Sequence, residues 1–319
     1  MSGPPAASAS PAGGSVTIIV SVVVASFRDR CVLDACIGAL LPQCARTDVE
    51  LIVARADTAD AIAALARAYP TVRVIPLPVG STLPPLRGAG LAAATGRIAA
   101  LTEDHCVADA AWVATMMRYA DGRVDAVGGG MDNCRPARAL DWGAFFAEYG
   151  FYGAMSSRPY RGTGSTPLLT GANVAYGRRV LADVAGWMTA GAWENVVHDR
   201  LRASRAVVAF EPLARVGQNL TYSFRAFAAE RYRHGRDYAR GHVAESPAMN
   251  RWPRIAAAFL LPPLLTYRVG RIAVGSVGRA FAFGRALPFT FAFLGAWAVG
   301  EAAGYLDGPS IARRGTDPR

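Results

Sequence analysis

Two adjacent carboxylates, Glu103 and Asp104, followed by His105, stand where an apolar run ends. Hard oxygen ligands of this kind take a divalent cation, and such an ion can bridge two phosphates of a departing group. The competing reading is a solvated loop pair or a helix cap, with Asp104 capping a helix near Ala110. By position Asp104 is the expected principal ligand, with Glu103 or His105 assisting. A surface or supporting role is the alternative for His105. Arg87 precedes a run of small residues (Gly88, Ala89, Gly90, Ala92) where a backbone approaches a ligand closely. Its planar guanidinium suits a phosphate; a plain surface arginine is the alternative. A second acidic stretch reads Trp193-Glu194-Asn195-Val196-Val197-His198-Asp199. Either of its carboxylates, Glu194 or Asp199, has the chemistry of a general base; they lie five residues apart and need not share a helix face. An exposed helix-start carboxylate is the alternative for Glu194. His198, one turn later, either orients that carboxylate, contacts a second substrate, or is an ordinary helix-face histidine.

These groups meet only if strand ends and helix starts share one edge. Residues 16–25 (VTIIVSVVVA) form a nearly continuous β-branched run, as in strands buried on both faces of a parallel sheet. Helical spacing follows over 31–44, with Val32, Leu33, Cys36, Ile37 and Leu40 on one side. Further strands are expected over 49–54, 72–76 and 97–101. Helices are expected over 57–69 and 84–95, the latter opened by prolines. This alternation predicts a parallel sheet with helices on both faces. Right-handed crossovers then bring the strand C-termini to one edge, where ligands bind, and Glu103 and Asp104 fall there. Later the pattern loosens. A helix is expected over 112–119, a strand over 124–131, and a mobile, aromatic, glycine-rich wall over 132–170. Short strands over 171–176 and 207–210 flank a helix over 194–202, and a basic, aromatic helix covers 223–242. No Gly-x-Gly-x-x-Gly follows the first strand, which argues against a dinucleotide oxidoreductase.

The 319 residues suit one large domain or a domain with an appendage. Hydrophobic residues make up 52% and mean hydropathy is +0.20, with the excess after Arg254. The net charge of +10 suits a partner that is anionic lipid or phosphate. All 34 basic residues are arginine, scattered rather than gathered into a basic arm, so nucleic acid is not expected. Five cysteines without zinc-type spacing fit reduced thiols of a cytosolic domain. The Pro-, Ala-, Gly- and Ser-rich residues 1–15 read as a disordered lead without the pattern of a signal peptide.

Taken in order along the chain, several stretches resemble glycosyltransferase family 2, which has the GT-A fold. Ala25-Ser26-Phe27-Arg28-Asp29-Arg30 resembles its first turn. Glu50-Leu51-Ile52-Val53 and Thr58-Ala59-Asp60 resemble its second strand and acidic turn. Leu86-Arg87-Gly88-Ala89-Gly90 with Ala94-Thr95-Gly96 resembles its small-residue helix. Thr102-Glu103-Asp104-His105 resembles its metal-binding Asp-x-Asp element, and Gly171-Ala172-Asn173 its downstream Gly-Ala-Asn. The resemblance covers about residues 16–240. It implies an α/β fold, a doubly wound, mostly parallel sheet, and a membrane-associated bacterial enzyme of the hexosyltransferase class. That enzyme would move a sugar from a nucleotide-diphosphate sugar with the help of Mg2+ or Mn2+. Donor contacts are implied for Ser26, Asp57, Arg87, Glu103 and Asn173, with a turn residue as the alternative for Asn173. Asp104, Glu103 and His105 are implied at the metal. Glu194 is implied as the general base that deprotonates an acceptor hydroxyl with inversion.

The sequence departs from the family at three places, the first being the metal element, which reads Glu103-Asp104-His105 rather than Asp-x-Asp. Arg55 stands where an aspartate usually contacts the nucleoside base, with Asp57 two residues later. Asn195 stands where a second acid is usual. Glu230-Arg231-Tyr232-Arg233-His234 loosely resembles a Gln-x-x-Arg-Trp element, making Arg233 and Arg236 diphosphate candidates. Interleaved Arg and Tyr also fit an interfacial helix, the favoured reading. Two rival functions remain: a catalytically degenerate nucleotide-sugar binder, supported by Arg55 and Asn195, and a nucleotidyltransferase releasing pyrophosphate.

Residues 255–267 are apolar but short for a span and contain Pro262-Pro263, which suits a re-entrant or interfacial segment. Residues 286–304 are long enough to span, with one acid, Glu301. Arg268, Arg271, Arg279 and Arg285 lie between them, and Arg313, Arg314 and Arg319 in the tail. Both groups want the cytoplasmic side, which points to a re-entrant hairpin or an interfacial arrangement. A helical hairpin packed on the catalytic domain is the alternative. The expected division is a lead (1–15), a catalytic domain (16–222), a basic interfacial helix (223–253), membrane-associated or transmembrane helices (254–306) and a basic tail (307–319). The expected setting is the cytoplasmic face of the inner membrane, with a lipid-linked or membrane-delivered acceptor. One convincing span argues against a self-made channel and so for single transfer.

Overall fold

A computed structural model describes residues 17–135, 138–155, 159–163, 169–246 and 248–307. The expected lead and the arginines of the tail lie outside these residues. The N-terminal half follows the sequence pattern closely. β1 (Val20–Ser26) is buried throughout. Val20, Val22 and Val24 pack with Leu33 and Ile37 of α1 (Arg30–Leu40), while Val23 faces the opposite side with Leu91. β2 (Val49–Ala56) pairs parallel to β1, and α2 (Ala59–Ala68) follows, capped by Thr58. β3 (Arg73–Leu77) closes this edge of the sheet. α3 (Leu83–Ala93) starts on prolines and buries Leu86, Arg87, Gly88, Gly90 and Leu91. β4 (Ile98–Glu103) pairs parallel to β1 on its other side and delivers the acidic pair to the predicted edge.

Next come β5 (Cys106–Ala108), α4 (Trp112–Met117), β6 (Ala126–Asn133), α5 (Ala139–Met155), β7 (Tyr160–Gly162) and β8 (Asn173–Gly177). They are followed by α6 (Arg178–Thr189), α7 (Glu194–Ala203), β9 (Val208–Gln218) and α8 (Phe224–Glu245). The nine strands form one sheet in the order β3-β2-β1-β4-β8-β6-β9-β5, with β7 pairing β9. β1 to β4, β6 and β9 run one way, and β5, β7 and β8 run the other. The sheet is therefore mostly parallel. β8 sets Asn173 beside Thr102 at the site edge.

Two expectations change. Instead of a loose wall over 132–170, residues 139–155 form the long helix α5. Its rings Trp142, Phe145, Phe146 and Tyr149 follow helical spacing and stack on one another as they enter the core. The glycines that suggested a loop sit where neighbours press close: Gly143 against Phe289 and Thr290, and Gly150 against Val269. The short strand expected over 207–210 is the 11-residue β9, which continues to Gln218.

The C-terminus forms α9 (Trp252–Ala258), α10 (Leu261–Ala273) and α11 (Val277–Asp307). α9 and α10 bend by 47° at the break before the two prolines. α11 is long and apolar enough to cross a membrane, and a third of its most apolar window is buried inside the protein. It packs on α5 and α8 through Ala144, Ala147, Phe227, Phe293 and Leu294. Its crossing with α8 is close. Gly235 lies against the backbone of Trp297, Gly300 against that of Tyr232, and Gly304 against that of Arg236.

Candidate active site

The C-terminal end of β4 places Glu103, Asp104 and His105 side by side, all buried. Asp104 Oδ2 accepts hydrogen bonds from the backbone N–H groups of Phe27 (2.9 Å) and Arg28 (2.8 Å). The Asp104 N–H donates to Ala25 O. One carboxylate thus pins the turn after β1. Burial works against its charge, but His105 and the two N–H groups outweigh burial and hold its pKa below the usual carboxylate value. His105 Nε2 lies 3.2 Å from the Tyr149 hydroxyl. Its Nδ1 lies 3.6 Å from Glu103 Oε2 and 3.8 Å from Asp104 Oδ1.

Among the described residues no group of three or more His, Cys, Asp and Glu is set to enclose a metal ion. Two atoms are nevertheless buried without a hydrogen-bond partner, Asp104 Oδ1 and His105 Nδ1. Asp104 Oδ1 fits a hard divalent cation that takes one protein oxygen and fills the rest of its shell with phosphate and water. Burial pulls the His105 pKa down, but the neighbouring acids outweigh it and hold the ring protonated, its pKa well above the ordinary value; it would have to lose that proton before Nδ1 could ligate. The third expected ligand, Glu103, turns its Oε1 to Arg87 at 2.5 Å.

Arg87 joins the two acidic stretches. Its NH2 donates to Glu103, and its NH1 donates to Glu194 Oε2 at 2.6 Å, from 107 residues away in sequence. The guanidinium lies on the backbone of Gly171, where an added Cβ would overlap it, and 6.0 Å from the Trp193 ring. Glu194 begins α7. Burial raises its pKa, but Arg87 overrides that and holds Glu194 below the ordinary value, as an ionised carboxylate. His198 sits one turn on, with Nε2 3.0 Å from the Tyr176 hydroxyl. Burial pulls its pKa down to about 4, so it is neutral at physiological pH.

Arg55, at the end of β2, is also buried and fully committed. NH1 donates to Ser26 Oγ (2.7 Å) and to Arg28 O (3.0 Å), while Nε and NH2 donate to Asp57 Oδ2. Arg55 therefore fixes Ser26 and Asp57, the two expected donor contacts at this corner, in one network.

Four expected site residues are not brought here. Asn173 is fully buried. Its Nδ2 donates to Gly130 O and Ala214 O, and its Oδ1 accepts from Trp112 Nε1, so its amide braces strands rather than facing the cleft. Asp199 is exposed and paired with Arg202. Arg233 is exposed, its Nε donating to Ala229 O within its own helix. Arg236 pairs with Asp307 of α11. On α8 it is Glu230 and His234 that face inward: Glu230 lies 3.8 Å from Arg28, and the His234 ring lies 5.8 Å from that of Trp193.

Arg28, Tyr149 and Tyr222 were not anticipated. The Arg28 Nε is 3.6 Å from Asp104 Oδ1, and it too is buried without a hydrogen-bond partner. The helical spacing of the α5 rings was the signal for Tyr149; none marked Tyr222. A cavity of about 460 Å³ between α1 and α4 is lined mostly by Gly38, Pro42, Gln43, Arg46, Val113 and Met117. It holds no carboxylate or histidine and is not the chemical centre.

The profile described as glycosyl transferase family 2 matches residues 21–185, more than half of the chain, and the chain belongs to that family. No curated protein matches it. Among solved structures, a mannosyltransferase from Pyrobaculum calidifontis in complex with GDP-Man and Mn2+ superposes with a TM-score of 0.54 at 18% identity, over 90% of this chain and 88% of that one. A glucosyl-3-phosphoglycerate synthase from Mycobacterium tuberculosis, with Mn2+, UDP and glucosyl-3-phosphoglycerate, gives a TM-score of 0.43 at 16% identity, over 66% of this chain and 75% of that one.

Proposed function

We propose that this family 2 glycosyltransferase moves a sugar from a nucleotide-diphosphate sugar to a hydroxyl of a lipid-linked or membrane-delivered acceptor. Transfer inverts the anomeric centre, occurs once per encounter and takes place at the cytoplasmic face of the inner membrane. The observation that carries this reading is the Arg87 bridge between Glu103 and Glu194. It gathers a strand-end acid, a helix-start acid and a phosphate-type cation at one point of the sheet edge, although they are remote in sequence.

Asp104 would hold Mg2+ or Mn2+ through Oδ1, with His105 Nδ1 joining once it has given up its proton. When bound, the ion supplies charge stabilisation for the departing diphosphate. Arg87 and Arg28 are placed to add positive charge on the same side. Ser26 and Asp57, braced by Arg55, line the donor corner. Glu194 accepts the proton of the acceptor hydroxyl, and Arg87 keeps it ionised and in one orientation beforehand. His198, neutral and hydrogen-bonded to Tyr176, lies one turn beyond Glu194 on the same helix.

The test is calorimetric titration of the purified protein with GDP, UDP and dTDP, with and without Mn2+. GDP comes first because the Pyrobaculum enzyme holds GDP-Man. Metal-dependent binding of one nucleotide is the expected result and names the donor class. Binding unchanged by chelation removes the metal from the proposal.

A further inference from the structure

The C-terminal helices carry a surface that the transfer chemistry does not use. From Ser246 to Gly300 the chain has six arginines and no Asp or Glu. Most exposed large apolar side chains among the described residues lie in or beyond this stretch, including Trp252 (72% exposed), Phe259, Leu260, Tyr267, Val277 (90%) and Phe281. They belong to α9, α10, the break between them and the start of α11. Arginines are interleaved with them. Arg271 lies 5.9 Å from the Tyr267 ring and Arg285 5.8 Å from the Phe281 ring. In each the guanidinium lies beside an aromatic ring on an exposed residue, an amphipathic pair suited to a polar boundary.

A membrane span is a poor description of α11 in this setting. Its glycines bring its backbone against α8, which carries Arg225, Arg231, Arg233, Arg236 and Arg240. Crossing the bilayer with α11 would take that arginine-rich partner into hydrocarbon. An exposed apolar surface interleaved with arginine instead matches the boundary of an anionic leaflet.

We propose that α9, α10 and the start of α11 form a monotopic membrane attachment site, which inserts apolar side chains into one leaflet of an anionic bilayer and crosses none. Arg271 and Arg285 lie at lipid phosphate level. The idea deepens the membrane-side reading of the function, but its test needs neither donor, metal nor turnover.

The experiment is flotation of the full chain with vesicles of phosphatidylglycerol and phosphatidylethanolamine, against vesicles of phosphatidylcholine. Binding to the anionic vesicles alone is expected, weakened by salt, with release of the protein from native membranes by alkaline carbonate. Val277→Asp should lower binding more than tenfold, by removing an exposed apolar contact. It does so at a helix start where an acid is favourable, so the thermal melt should hold. Arg271→Gln and Arg285→Gln should each lower it about fivefold. Resistance to carbonate would overturn the proposal in favour of a span. Equal binding to both vesicle types would overturn the arginine role. No vesicle binding, with a dimer in solution that Val277→Asp dissociates, would assign the surface to a second copy of the chain. Nucleotide binding in the same preparation separates any of these failures from a failure of the transferase reading.

Discussion

Replacing Arg87 by alanine tests the site at its junction. The guanidinium is buried, Glu103 is nearly so, and the Glu194 side chain is 25% exposed. Removing one partner of a buried ion pair costs about 3–5 kcal/mol, because a charge is left without compensation. Part of Glu194 reaches water and can rehydrate, so the low end applies, about 3 kcal/mol. At roughly 2 °C per kcal/mol for a domain of this size, the melting temperature should fall by about 6 °C at neutral pH. The pH dependence gives the sharper check. In the wild type, Glu194 has a folded pKa below its ordinary 4.5. Its contribution is therefore full above pH 4.5 and is lost as pH falls through the lower folded value. In the variant, burial remains and Arg87 does not, so the carboxyl takes a proton more readily. The gap between the two proteins should narrow from pH 7.5 to pH 4.5. The assay is thermal denaturation by circular dichroism at both pH values. A gap under 1 °C at pH 7.5, or one of equal size at both, refutes the idea that Arg87 holds Glu194 ionised.

Glu194→Gln should lower kcat by about 10²–10⁴ fold while leaving nucleotide affinity unchanged, measured by steady-state rates and calorimetry; near-normal turnover would remove it as the base. Asp104→Ala should abolish metal-dependent nucleotide binding and loosen the turn at Phe27 and Arg28, read by titration and by amide hydrogen exchange. Asn173→Ala should destabilise the protein by about 2–4 kcal/mol, since it leaves buried donors and acceptors unpaired, yet leave donor affinity intact; a selective loss of donor affinity would return Asn173 to the site.

The sheet edge was legible because it is written locally. β-branched runs, short connections and the prolines of α3 each carry their own periodicity, and the acidic pair lies at the end of one run. Tertiary packing was less legible. α5 reads as a loop because Gly143 and Gly150 look like breakers, whereas they are places of close approach to α11 and Val269. The link from Arg87 to Glu194 spans 107 residues, and no local pattern encodes it. Asp199 was separable from Glu194 in principle: five residues along a helix turn the side chain by about 140°. Asn173 shows the reverse difficulty. An asparagine after a Gly-Ala pair has the chemistry of a ligand contact, but the register of β8 with β4 turns it into a brace.

The glycine seam between α8 and α11 also sets how this chain can be divided. Gly235, Gly300 and Gly304 leave no room for even one methyl group between the two backbones. Phe227 of α8 is covered by Phe293 of α11. Cleaving the chain near Trp252 would therefore not release a soluble catalytic half. It would strip α8 of its cover, and with α8 the inward-facing Glu230 and His234. A deletion series from the C-terminus should therefore show loss of folding as soon as α11 is shortened past this crossing, read by thermal denaturation.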